Sequence, residues 1–343
     1  MRDVCGSLRE HWYVACTARE LTVGVPLQRT IMEVGLALFR DAEGHPAAVI
    51  DRCAHRNARL GEGEVRDGCL ACPYHGWTYD REGRCVEIPS EGGERRLREG
   101  KRVESFPTRE AHGLVWVWMG NPARVVEEPF PMPYYRTDGW DAYYMITPFR
   151  GNVTNLVENF MDVPHTVFVH SRWFRNRKRV HGEAIVRRTV NSVEVEYLHR
   201  DGIGFADWAL NPDGLPMTHT DRFFMPNVTR VDYRYGTDRH FVIASQITPI
   251  SEHESLVYTA IAYRFGWFTK LLRPFLAWYT RRVIEQDVAI MRNQTHNIEK
   301  DGPRFSSTEA DVIHACIESL RHQAERGEDT PLPPLEKKIA FWI

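Results

Sequence analysis

Two short segments of the chain carry paired metal-binding side chains: Cys53-Ala54-His55 and Cys72-Pro73-Tyr74-His75, sixteen residues apart. Each arm offers one thiolate and one imidazole beside turn residues, where loops can converge on a metal. A set of two Cys and two His suits tetrahedral zinc. Zinc fingers, however, usually keep their cysteines on one arm and their histidines on the other. Mixed arms suit a two-iron cluster in which two cysteines hold one iron and two histidines the other. A second set follows in Asp162-Val163-Pro164-His165 and His170. On a helix, residues 162 and 165 share a face, whereas the five-residue step to 170 needs a distortion of the kind Pro164 supplies. Two imidazoles and one carboxylate on one side of a metal leave positions open, the donor set of a mononuclear Fe(II) site. Two neighbouring histidines also occur as satisfied core or surface residues.

The elements that position these groups change along the chain. Residues 1–120 read as short strands at 11–15, 36–39 and 47–50, with hairpin loops at 41–44 and 80–83 and a buried strand at 114–118. Pro122, Pro129, Pro131 and Pro133 then mark a linker, dividing the chain into domains 1–120 and 121–343. Residues 155–168 read as a helix kinked or broken at Pro164. Strand-like alternation runs through 183–198, 241–247 and 256–263. A long helix is expected over 268–297, its apolar face drawn from Phe268, Leu271, Leu272, Phe275, Trp278 and Tyr279, and the tail after Asp301 reads as partly helical. The class is α+β, an all-β domain followed by a mixed one.

Composition sets the outer bounds. A length of 343 residues suggests about two domains. Lys plus Arg number 44 against 46 Asp plus Glu, so no general electrostatic pull toward nucleic acid or an anionic membrane exists. Ten Trp, thirteen Tyr and sixteen Phe provide flat apolar surface for a core and for a pocket. Seven cysteines are an odd number in a chain too large to need disulfide staples. No apolar run resembling a signal peptide follows Met1, and charged residues interrupt 265–284 well short of the ~20 residues that span a bilayer. A cytoplasmic location without a membrane span is expected. Gly61-Glu62-Gly63 and Gly202-Ile203-Gly204 each lack the third glycine of a dinucleotide fingerprint, so no nicotinamide or flavin site is legible.

The arms Cys53-Ala54-His55-Arg56 and Cys72-Pro73-Tyr74-His75-Gly76-Trp77 resemble the two loops of the Rieske [2Fe–2S] domain in residue type and spacing. Rieske proteins of respiratory complexes carry a further cysteine in each loop. Ala58 and Tyr74 stand at those positions here and cannot form a disulfide, which points to the oxygenase type. Residues 158–170, Glu-Asn-Phe-Met-Asp-Val-Pro-His-Thr-Val-Phe-Val-His, resemble the iron motif of Rieske non-haem iron oxygenases. That resemblance implies His165 and His170 as iron ligands. It implies Asp162 as the carboxylate linking the iron site to a neighbouring subunit's Rieske histidine. It also implies a third ligand on the long downstream helix, matched by Asp287, with Glu285 as the alternative on another helix face. Asn159 lies three residues before Asp162, a spacing similar to the demethylating and monooxygenating branch.

The resemblance extends from Trp12 through Asp287 and implies a Rieske domain followed by a helix-grip (START-like) catalytic domain with an antiparallel sheet. It further implies a [2Fe–2S] cluster on Cys53, His55, Cys72 and His75 that relays electrons to a mononuclear Fe(II), where O₂ is used. The electrons originate in NAD(P)H and arrive through a separate reductase, with or without a ferredoxin. A homotrimer is implied, because the contact between His75 and the next subunit's Asp162 must close a ring. The activity implied is hydroxylation or oxidative demethylation of an aromatic or polycyclic compound. A ring cis-dihydroxylase, an electron-transfer Rieske protein and a zinc protein are the alternatives. Asn159, Phe205, Trp208, Phe223 and Met225 are candidates to contact substrate, and the basic run Arg172, Arg175, Arg177, Lys178 and Arg179 is a candidate docking site for an acidic redox partner.

Overall fold

The computed structural model describes residues 6–92, 94–125, 128–171, 181–198, 211, 213–328 and 330–342. The chain divides into two compact units, Met1–Pro131 and Met132–Ile343.

The first unit is built from small antiparallel sheets. One orders the strands Leu27–Ile31, Val34–Arg40, Pro46–Ile50 and Ser105–Phe106, and a second joins Glu64–Arg66, Cys69–Ala71, Thr78–Tyr79 and Cys85–Glu87. Leu114–Trp118 is buried along its whole length, between Trp12–Thr17 and Thr108–Ala111. Its unbroken Leu-Val-Trp-Val-Trp run fits a strand covered on both faces. Phe39, Val49, Leu60, Leu70 and Tyr79 form a core that also takes in Cys53 and Cys72. Both metal-binding arms therefore leave short strands and root their cysteines in the apolar interior.

The second unit holds an eight-stranded antiparallel sheet in the order Asp141–Arg150, Glu254–Phe265, Arg239–Pro249, Val228–Tyr235, Met217–Phe224, Ser192–Tyr197, His181–Arg188 and Leu335–Trp342. Among the described residues four α-helices accompany it: α1 (Val153–Met161), α2 (Thr166–Val169), α3 (Arg273–Asp301) and α4 (Val312–Glu325). The 29-residue α3 runs against the edge strand, with Thr295 Oγ1 donating to the Arg150 carbonyl at 2.9 Å. Tyr143 and Thr280 hydroxyls meet at 3.0 Å farther along the same contact. α1 and α4 bury Leu156, Val157, Met161, Ile317 and Leu320 against Val186, Val193, Val195 and Phe223 of the sheet. No described helix is long and apolar enough to cross a membrane.

Several elements depart from the periodicity-based reading. The long helix starts at Arg273, after a 3-10 segment at Gly266–Leu272, because Pro274 sits in its first turn where a missing N–H costs nothing. Leu271 and Trp278 are solvent-exposed and lie off the buried face. The helix over 155–168, expected to kink or break at Pro164, is indeed broken into two, with Asp162 in extended conformation between them. The tail is partly helical as expected, over a 3-10 turn at Glu309–Asp311 and α4, but it then forms an unanticipated strand, Leu335–Trp342, paired with His181–Arg188. Met217–Phe224 and Val228–Tyr235 escaped notice because charged side chains interrupt their alternation.

Candidate metal centres and substrate cavity

The two cysteine arms have the same backbone construction. Cys53 N donates to the Ala58 carbonyl at 2.8 Å, and Cys72 N donates to the Trp77 carbonyl at 2.9 Å. Each cysteine carbonyl accepts from the residue four positions on, Asn57 N and Gly76 N, at 3.0 Å. Those two residues turn the loops through the left-handed region, with φ of 62° and 71°. At Gly76 a Cβ would lie 2.9 Å from Pro89 Cγ, so glycine answers both the dihedral and the crowding. The thiols are consequently buried, while His75 is exposed and His55 half-buried. The two imidazole centroids are 4.6 Å apart, and His55 stacks on Trp77 at 4.7 Å.

The donor set fits a two-iron cluster. His55 Nδ1 is buried with no hydrogen-bond partner among the described residues. Burial pushes the Cys72 thiol up, and the neighbouring Cys53 sulfur adds to the effect. Metal binding removes both thiol protons and relieves that cost. Tyr79, which the sequence reading did not single out, places its hydroxyl 3.2 Å from Cys53 Sγ and accepts from Ala54 N at 3.2 Å. Its position on the strand just after the second arm is the one local signal for it.

The second centre gathers residues from three elements. His165 precedes α2, His170 ends it, and Asp287 projects from the middle of α3. His165 Nε2 and His170 Nε2 face each other at 3.3 Å, and Asp287 Oδ1 lies 3.6 and 3.2 Å from them. These edges suit one cation about 2.1 Å from each donor. Asp287 is 6% exposed, and its Oδ1 has no hydrogen-bond partner among the described residues. Burial alone would raise its carboxyl, but the two imidazoles hold it below the usual range. Burial likewise opposes charge on His165, yet Asp162 and Asp287 win and raise it to about 9. The site is tuned for positive charge, and a divalent cation satisfies it by taking the proton's place.

Neighbouring side chains orient the ligands. His170 Nδ1 lies 2.8 Å from Gln286 Oε1, so the N–H points to the amide and Nε2 is left for the metal. Asp162 Oδ2 accepts from the His165 amide at 3.2 Å and sits 3.5 Å from His165 Nδ1, an ion-pair distance at which no hydrogen bond forms. Glu285 is exposed and paired with Arg282 at 3.0 Å, away from the centre. Gln286 was not anticipated, because its role depends on a residue over a hundred positions away.

His165, His170, Asp162 and Asp287 line one wall of a cavity whose empty volume, mouth included, is about 840 Å³. Asn159, Phe160, Val231, Tyr233, Phe241, Ile243, Ile261, Tyr279 and Ile284 supply most of the remainder. Asn159 is thus at the cavity. Phe223 and Met225 are not: Phe223 is fully buried in the core under α1 and α4, and Met225 packs on that core from its edge. Residue type could not distinguish core from cavity on one strand face. Phe205, Trp208, Arg172, Arg175, Arg177, Lys178 and Arg179 lie outside the described residues.

Comparison with known proteins adds to this geometry. Residues 11–107 match the Rieske [2Fe-2S] domain, and residues 149–317 match the vanillate O-demethylase oxygenase C-terminal domain. The chain belongs to the Rieske non-haem iron oxygenase family. The oxygenase component of dicamba O-demethylase from Stenotrophomonas maltophilia is 39% identical over 166 residues, covering 48% of each chain. The iron-sulfur subunit of the toluene-4-sulfonate monooxygenase system from Comamonas testosteroni is 33% identical over 165 residues, covering 48% of this chain and 46% of its own. The chain spans about half the length of the curated relatives it matches. The crystal structure of dicamba monooxygenase bound to dicamba superposes with a TM-score of 0.79 at 25% identity, over 93% of this chain and 98% of that one.

Proposed function

We propose that this chain is the oxygenase component of a multicomponent monooxygenase, hydroxylating or oxidatively demethylating an aromatic organic substrate with O₂ and two electrons. The observation that carries this reading is the triad His165, His170 and Asp287 set in the wall of an apolar cavity, with its vacant side available to a substrate. When bound, the cluster on Cys53, His55, Cys72 and His75 supplies single electrons and the Fe(II) on the triad supplies oxygen activation. The protein's own residues hold, orient and keep dry. Gln286 fixes the His170 tautomer, and Asp162 anchors the His165 backbone at the break between α1 and α2. Phe160, Tyr233, Phe241 and Tyr279 exclude water and hold a flat ring against the metal.

The electrons come from NAD(P)H through a separate reductase, with or without a ferredoxin. The working assembly is a cytoplasmic homotrimer in which His75 of one subunit meets Asp162 of the next, and the basic run 172–179 receives the redox partner. The test is turnover with a surrogate reductase under ¹⁸O₂. One labelled atom in the hydroxylated product or in the demethylation by-product is expected. Two labelled atoms in a cis-diol would make the chain a dihydroxylase, and reduction without oxygen incorporation would make it an electron carrier.

A further inference from the structure

One carboxylate in the cavity wall has no part in holding metal. Asp221, on the strand Met217–Phe224, lines the cavity and is 2% exposed. Its Oδ1 accepts from His219 Nε2 at 2.8 Å, and among the described residues it has no other partner. His219 is clamped between the rings of Tyr197 and Tyr233, with centroids at 4.5 and 4.4 Å and planes within 22° and 25° of parallel. A histidine so held cannot swing away, and it fixes the Asp221 carboxylate with Oδ2 left over.

The other polar groups of the wall outside the metal site are neutral, and one of them, Asn159, has a buried Oδ1 without a partner among the described residues. Ser245 and Thr259 hydroxyls meet at 3.1 Å, and Thr280 donates to the Leu276 carbonyl at 2.7 Å. No Arg or Lys occurs among the described lining residues. Asp162 and Asp287 engage the metal-site histidines, so Asp221 is the carboxylate with acceptor capacity to spare. A buried carboxylate is costly unless a donor meets it, and in this low-dielectric setting an ammonium is the strongest match. Tyr233 and Phe241 line the same wall, and aromatic rings suit a cation better than an anion. An anionic ligand would meet like charge instead.

We propose that Asp221 selects the substrate: the cavity takes an apolar or aromatic compound bearing a protonated amine, which donates to Asp221 Oδ2, and it rejects carboxylates and sulfonates of the same size. This rests on the cavity being the substrate site of an oxygenase. The probes are 4-methoxybenzylamine, 4-methoxybenzyl alcohol and 4-methoxybenzoate, bound anaerobically to the iron-loaded protein at pH 7 and measured by equilibrium dialysis.

The amine should bind at least tenfold tighter than the benzoate, with the alcohol between them. Asp221→Asn, checked for fold and iron content, should bring the amine and the alcohol within about twofold of each other. Should that variant not fold, the wild-type protein gives the second measurement, in which the preference for amine over alcohol fades as pH rises through the amine's own pKa. A benzoate that binds as well as the amine, an amine that does not bind, or a preference indifferent to both Asp221→Asn and pH would overturn the proposal. Product formed from the benzoate alone would sink this inference and leave the oxygenase reading standing. Selective amine binding without oxygen incorporation from any probe would do the reverse.

Discussion

The two metal centres are assembled by opposite strategies. In the first unit, two loops of like backbone construction each present a buried thiol and an outward imidazole, and every donor lies within a few residues of its loop partner. In the second, two histidines from the ends of one short helix meet a carboxylate from a different and much longer one. The first is a local device whose ligand positions follow from turn geometry. The second exists only when α3 packs onto the sheet, and its ligands are set by partners that do not coordinate, Gln286 and Asp162. An electron relay needs a rigid holder near the surface. A reaction centre needs a dry cavity, which only tertiary packing can enclose.

The independence of the two centres can be broken most severely by deleting ligands. Asp287→Ala is expected to reduce product formation to background while leaving the visible spectrum of the cluster intact, because all four candidate cluster ligands lie in the first unit. His75→Ala should abolish that spectrum and leave iron on the triad. A variant that disturbs both centres at once would show that they are coupled in folding.

Smaller effects sharpen the contrast. Gln286→Ala frees the His170 ring, and iron affinity at the triad should fall by about 10–100-fold in chelator competition, with the cluster unaffected. Glu158 on α1 tests the tertiary centre through its scaffold. Burial, with Glu318 nearby as a like charge, pushes Glu158 up to about 8. Between the ordinary carboxylate range and that value the folded chain holds a proton that the unfolded chain has lost. Stability therefore falls as pH rises through this window, by up to ~1.4 kcal/mol per pH unit. Glu158→Gln should flatten the dependence and raise the melting temperature near pH 8; a slope unchanged from wild type would refute the burial argument. The least effect is expected of Tyr79→Phe, which removes a donor to Cys53 Sγ. Loss of about 1 kcal/mol of preference for the reduced cluster corresponds to a potential lower by ~40 mV in a redox titration.

What the sequence discloses follows the same division. The cluster arms are legible because type and spacing within 23 residues, from Cys53 to His75, already define the chemistry. The pair His165 and His170 is legible only beside those arms, because two neighbouring histidines alone also occur as satisfied core or surface residues. Asp287 is not: spacing offers no reason to join it to residues 117 and more positions away, and only the family resemblance does so. Tyr79, Gln286, His219 and Asp221 are ordinary polar residues until the fold supplies their partners. Phe223 misled because an apolar residue on an inward strand face serves core and cavity alike. Asp221, on the same face two residues earlier, reaches the cavity where Phe223 does not. Among the helices, Pro164 gave a reliable break through stereochemistry, Pro274 marked a helix start that apolar periodicity alone ran past, and the strands with interspersed charges stayed hidden.

Iron analysis of the purified protein and of Asp287→Ala, read together with the visible spectrum, addresses the central claim most directly. Three irons per chain in the wild type and two in the variant, with one unaltered Rieske absorption spectrum for both, is the predicted result. Two irons in the wild type, or a spectrum lost along with Asp287, would contradict the assignment of two separate centres.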